Sequence, residues 1–181
     1  MNIVNEMIRT SKFGSKDGKE FEKALKPFIE LFKENVNVEI LSEPGKTDLL
    51  CTMIRYPDDV QYNMNVDAKT RQTALDGINA TRILKLLRQT SAAFCIVVAP
   101  KFTRGVLGDI GGHKIVTIRA EEFGNYCYKE CMNSADNLAN LSPLLKVINE
   151  NLGTDITSKI RTLTEEKYGT VVKAPVIMQG A

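Results

Sequence analysis

The run Ala92-Ala-Phe-Cys-Ile-Val-Val-Ala99 carries no polar side chain from end to end. A strand that is apolar on both faces must be covered on both sides, so it belongs inside a sheet sandwiched between helices. The preceding segment, Thr73 to Gln89, spaces Leu75, Ile78, Ile83, Leu86 and Leu87 as a helix does. A helical crossover into a buried strand makes that strand parallel to the extended run before the helix, Val60 to Lys69. The chain is therefore expected to be an α/β protein built on a partly parallel sheet.

The other elements fit that frame. Asp17-Gly18-Lys19-Glu20 has the spacing of a capping box, and Phe21, Leu25, Phe28, Ile29 and Phe32 follow as one apolar stripe. That predicts a helix from Asp17 to about Asn35, with Pro27 kinking it. Val36, Val38 and Ile40 alternate with polar neighbours before the turn Ser42-Glu43-Pro44-Gly45, as in a short strand. Thr47 to Arg55 and Val60 to Lys69 form a hairpin around Tyr56-Pro57-Asp58-Asp59. A glycine-bearing loop over 105–112 leads to a strand from Lys114 to Ile118, then helices near 120–132, 142–152 and 157–167. The expected order is helix, three antiparallel strands, helix, parallel strand, a further strand and helices: a mixed central β-sheet flanked by α-helices.

Length and composition set bounds. At 181 residues and 43% hydrophobic side chains, one domain over 1–181 is expected, with a core at about 15–132, C-terminal helices at about 140–168 and a flexible tail at about 170–181. The start of the chain lacks a secretory pattern and no stretch is long and apolar enough to span a bilayer, so a soluble, cytoplasmic protein without a membrane partner is expected. Lys and Arg number 24 against 22 Asp and Glu, a balance that neither demands nor excludes a polyanionic partner. Cys51 and Cys95 fall inside apolar runs and read as reduced core thiols. Cys127 and Cys131 stand one helical turn apart, but the lone His113 is distant, which falls short of a four-ligand zinc set.

Chemistry enters through β-strand periodicity. Asp67 and Lys69, two apart, project from one face, opposite Val60, Tyr62, Met64 and Val66. A turn centred between Pro57 and Asp58 sets Asp48 opposite Asp67 across the hairpin. Facing carboxylates repel, and a proton or a cation between them relieves the repulsion. An Asp-x-Lys triplet taken alone also describes a solvated strand face.

Lys46-Thr47-Asp48, followed after one hairpin by Val66-Asp67-Ala68-Lys69, resembles the motif of the PD-(D/E)XK nuclease superfamily. With Phe94 to Val98 and the segment Ile115 to Phe123, about two thirds of the chain resembles the cleavage domain of FokI-type type IIS restriction enzymes. Thr47 stands where that family often has proline. The resemblance implies a restriction-endonuclease-like core and a magnesium-dependent endodeoxyribonuclease, with manganese as a substitute ion. It implies that Asp48 and Asp67 hold the metal with the Ala68 carbonyl while Lys69 assists the attacking water. Glu22 resembles a helical glutamate that some relatives aim at the metal, and equally fits a first-turn acid favoured by the helix dipole.

Double-stranded DNA is the implied substrate, cut as a homodimer or as a heteromer with a specificity or second nuclease subunit. Lys46, Arg71, Lys101 and Arg104, with Arg82, Lys85 and Arg88, are the cations placed near the site for phosphates. On the helix, Asn79 and Arg82 share the sector of Leu75, Ile78 and Leu86, which is odd for a buried stripe. The loop Gly108 to His113 lacks the lysine of a phosphate cradle, and His113 is left outside the site. Two other readings compete: a repair or junction-resolving nuclease on the same fold, and a non-catalytic DNA-binding or assembly subunit.

Overall fold

In the computed structural model, which describes residues 3–15, 17–41, 46–55 and 57–169, five strands form a single sheet in the order β1-β2-β3-β4-β5. They are β1 (Asn35–Ile40), β2 (Leu49–Arg55), β3 (Val60–Ala68), β4 (Ala92–Ala99) and β5 (Ile115–Arg119). The first three are antiparallel, and β3, β4 and β5 run parallel. The hairpin register is the expected one, with Leu49 opposite Val66 and Arg55 opposite Val60. The expected turn at Ser42 to Gly45, Tyr56 of the hairpin turn and the tail from residue 170 lie outside the described residues.

Helices cover the sheet on both faces. They are α1 (Ile3–Phe13), α2 (Lys19–Glu30), α3 (Ala80–Gln89), α4 (Arg104–Ile110), α5 (Ala120–Met132), α6 (Ser142–Glu150) and α7 (Thr157–Tyr168). On β3, Met64, Val66 and Ala68 are buried in the larger core with Phe21, Leu25 and Phe28 of α2 and Phe123 of α5. On the other face Cys95 and Val97 of β4 pack with Ile83 and Leu87 of α3 and Ile110 of α4. Burying each such side chain contributes on the order of 1.5–3 kcal/mol. The open edge of β5 is closed by the following segment, Thr117 N–H donating to Thr154 O and Ile156 N–H to Thr117 O. Among the described residues no helix is long and apolar enough to cross a membrane.

Four local expectations are corrected. First, α1 precedes the expected first helix, and its Val4 and Met7 belong to the larger core. Second, α2 is capped by Gly18 in the left-handed conformation (φ 78°) with no side-chain cap. Asp17 Oδ1 accepts from Ser15 Oγ and, as expected of a residue covering an orphan amide, from the Lys19 N–H at 3.3 Å, while Glu20 accepts from Ser15 N–H. Third, α3 starts at Ala80 instead of Thr73, because residues 70–79 form a strap paired to the chain after β4. Leu75 N–H donates to Lys101 O at 2.8 Å, Thr103 N–H to Leu75 O at 2.9 Å, and Ile78 N–H to Asp109 Oδ2 at 2.7 Å. Fourth, the glycine-bearing loop contains α4, with Val106 and Ile110 one turn apart and buried. Gly105 is needed there, since a Cβ would come within 2.7 Å of the Asp76 carbonyl.

Candidate active site

Asp67 lies in the buried stretch of β3 at 5% exposure, one residue before its end at Ala68, and Lys69 lies just beyond the strand. Their face is that of α3, opposite Met64 and Val66, as the alternation requires. Asp48 immediately precedes β2, one residue outside the Leu49–Val66 pair, which carries it level with Asp67. Its Oδ2 accepts the Ala68 N–H at 2.8 Å. Lys69 Nζ lies 2.6 Å from Asp67 Oδ1 and 3.8 Å from Asp48 Oδ2. The fold thus brings Asp48, Asp67 and Lys69 to one spot at the end of the sheet where the parallel strands terminate.

The electrostatics of that spot are unbalanced, with two carboxylates against one ammonium. Burial, then the charge of Asp67, pushes Asp48 up to about 7, more than Lys69 and the Ala68 N–H pull it down. Burial works against the Lys69 ammonium, yet Asp67 and Asp48 outweigh it and hold the group above its ordinary value. Crowded carboxylates of this kind suit a hard divalent cation, which takes oxygen donors and keeps several waters. Among the described residues no three His, Cys, Asp or Glu side chains converge on a metal position. Glu22, buried on the first turn of α2, therefore does not join Asp48 and Asp67 as a third carboxylate. Its helix covers the opposite face of the sheet.

Lys46, Arg71, Lys101 and Arg104 are all exposed and lie on the segments entering β2 or leaving β3 and β4 at the same end of the sheet. Arg71 is fixed through its backbone, its N–H donating to Ser11 O at 2.9 Å. Arg88, also counted among the cations near the site, sits at the other end of α3. There it lines a hollow with Ser91, Ala92, His113 and Lys114, beside the N-terminal end of β4. Asn79 is explained by capping: its Oδ1 accepts the Arg82 N–H at 2.9 Å. Sequence reasoning passed over the polar row beneath the site. Asn63 Nδ2 donates to Thr90 O at 2.8 Å, and Thr90 Oγ1 lies 3.1 Å from Asn65 Oδ1. The signal was present, since Asn63, Asn65, Asp67 and Lys69 alternate with apolar residues along one strand.

A five-stranded mixed sheet between helices, with this cluster at the end of the third strand, defines an α/β fold of the restriction-endonuclease kind. The solved structure of restriction endonuclease FokI superimposes with a TM-score of 0.66 at 13% identity, over 85% of this chain and 31% of that one. FokI bound to DNA gives 0.67 at 13% identity, over 85% and 30%. In sequence, the chain is 30% identical over 171 residues to the type II restriction enzyme HgaI of Avibacterium volantium, covering 93% of this chain and 34% of that protein. The chain thus spans about a third of the length of the proteins it matches. No family model matches it.

Proposed function

We propose that this chain is a metal-dependent DNA endonuclease, the cleavage unit of a type II, type IIS-like restriction endonuclease. The observation that carries the reading is the approach of Lys69 to both Asp67 and Asp48 at the sheet end, two carboxylates and one amine in the order that the nuclease motif requires. Similarity to HgaI along 93% of the chain supports it.

The donor set fits magnesium, or manganese in its place: Asp48, Asp67 and the Ala68 carbonyl would hold it. When bound, such an ion supplies Lewis-acid polarisation of a phosphodiester and lowers the pKa of a water. Asp48 and Asp67 present their charge at the strand end, where hydrogen bonding to Ala68 N–H fixes the Asp48 carboxylate. Lys69, kept protonated by its two neighbours, donates hydrogen bonds and positive charge to the attacking water or to the phosphoryl oxygens. Lys46, Arg71, Lys101 and Arg104 hold the flanking phosphates of double-stranded DNA.

One such centre cuts one strand, so a double-strand break calls for a homodimer or a second nuclease subunit. Recognition of a particular sequence belongs to the remaining two thirds of a longer protein or to a partner, with residues 1–181 acting as one nuclease domain. The test is plasmid cleavage in magnesium and in EDTA, comparing wild type with Asp67→Asn and Lys69→Ala. Metal-dependent cutting by wild type that both variants lose is expected. Equal cutting by all three refutes the assignment.

A further inference from the structure

Arg82 is the side chain that the apolar stripe of α3 does not explain. Residues 82, 86 and 90 lie on one flank of the helix, and that flank faces β3. At its lower end Thr90 meets Asn63 and Asn65, and above it Leu86 is buried at 5% exposure. About 12 Å of helix separates Thr90 from Arg82, and about 13 Å of strand separates Asn65 from Lys69. The helix runs antiparallel to the strand, so Arg82 stands level with Lys69.

At that level Ile83 is still packed in the core beneath α3, while Arg82 itself is exposed. Its backbone N–H is taken by Asn79 Oδ1, and among the described residues its guanidinium pairs with no carboxylate. The first turn of α3 contains no acidic residue. The charge of Arg82 reaches Lys69, where it opposes the ammonium. Lys69 is paired with Asp67 and Asp48, whereas Arg82 has no carboxylate partner among the described residues, so its guanidinium is open to an anion that arrives beside Lys69.

We propose that Arg82 binds a DNA backbone phosphate beside Lys69, so that guanidinium and ammonium grip the strand being cut from the α3 side. This rests on the nuclease reading above and adds to it the group that receives the phosphate. The planar, forked guanidinium suits a bidentate phosphate contact that lysine cannot reproduce in full.

The test measures duplex binding by fluorescence anisotropy in EDTA across a salt series, and single-turnover cleavage in magnesium, for wild type, Arg82→Ala, Arg82→Lys and Lys114→Ala. Lys114 is exposed at the opposite end of the sheet. Arg82→Ala is expected to weaken binding about 10- to 100-fold and to flatten the log-log salt dependence by about 0.9. Arg82→Lys should recover the salt slope but only part of the cleavage rate, and Lys114→Ala should match wild type. A wild-type slope in Arg82→Ala overturns the inference while leaving a cleaving wild type as a nuclease. So does a weaker Arg82→Ala whose melting temperature has fallen with the slope unchanged, since that marks a structural role. A wild-type chain that neither binds nor cuts duplex removes the nuclease reading and this inference together.

Discussion

Replacing Asp48 with Asn removes one negative charge from the candidate site and keeps an oxygen for the Ala68 N–H. The carboxylate is held in place by that 2.8 Å bond, so the amide is expected to occupy the same position. In the folded chain burial and Asp67 push Asp48 from 3.8 up to about 7. At about 1.4 kcal/mol per pH unit, that gap corresponds to about 4 kcal/mol. The sign follows from linkage: between the two values the folded state binds the proton more tightly than the unfolded state. Stability is therefore greatest below about pH 4 as far as this group is concerned, and declines as pH rises through about 7. The Asn variant lacks this titration.

At pH 8 without divalent ion, Asp48→Asn should be more stable than wild type by about 2 kcal/mol, roughly half the full gap, because an amide buried there also needs partners. For a chain of this size that corresponds to a melting temperature about 4–8 °C higher. At pH 4, where Asp48 is protonated in the folded chain, only the amide's need for partners remains, and the variant should melt about 4–8 °C below wild type. Magnesium should raise the wild-type melting temperature by mass action and leave the variant nearly unmoved. Differential scanning calorimetry at pH 4, 6 and 8, with EDTA or magnesium, gives the answer. An Asn variant that is no more stable at pH 8, or that keeps the wild-type pH profile, refutes the claim that Asp48 is a strained carboxylate.

Lys69→Met leaves Asp48 and Asp67 facing one another without their shared cation, and should cost about 2 kcal/mol in EDTA at pH 8 by urea titration, with cleavage reduced at least about 100-fold. Asp109→Ala strips the acceptor from Ile78 N–H, so a loss of about 1–2 kcal/mol and faster hydrogen exchange at Ile78 are expected; unchanged exchange would show that the strap is held elsewhere. Gly105→Ala places a Cβ against the Asp76 carbonyl and should destabilise by about 1–2 kcal/mol despite the better helix propensity of Ala. Glu34, at 2% exposure, accepts Leu141 N–H and Ser142 Oγ at the start of α6, so Glu34→Ala should lower stability by about 2–4 kcal/mol with specific activity retained at 20 °C.

The hairpin and the placing of Asp48 beside Asp67 were legible because an antiparallel pair closed by a tight turn has a single register. Locating Pro57-Asp58 was enough to set Asp48 beside Asp67. The buried strand Ala92–Ala99 was legible because eight apolar residues have only one compatible environment in a sheet. The strap and α4 were not. Leu75 and Ile78 continue the spacing of Ile83 and Leu86, so the pattern reads as one helix, yet Leu75 bridges to Phe102 and is buried with Ala99 and Val106. The glycines at 105, 108, 111 and 112 disguise α4, a helix of seven residues held by the packing of Val106 and Ile110 and not by propensity. Glu22 satisfied the motif by residue type alone. Which layer α2 covers is a tertiary fact that helix periodicity does not contain.

The departure from the expected helix is what leaves the site open. Had α3 begun at Thr73, about 10 Å of additional helix would extend past Ala80 and beyond the end of β3 where Lys69 lies. The added turns would overhang the end of the sheet beside Asp67 and Lys69. Instead, Asn79 starts the helix about one turn beyond the level of Lys69, while the strap is drawn aside to α4 by Leu75, Ile78 and Asp109. The lower half of the row is bonded to Thr90, and in the upper half buried Asp67 pairs with the partly exposed Lys69. A stable core is compatible with this because the alternate residues of the same strand, Met64, Val66 and Ala68, anchor β3 in the larger cluster on the opposite face. Repulsion between the carboxylates at this end therefore acts on a strand already fixed from behind.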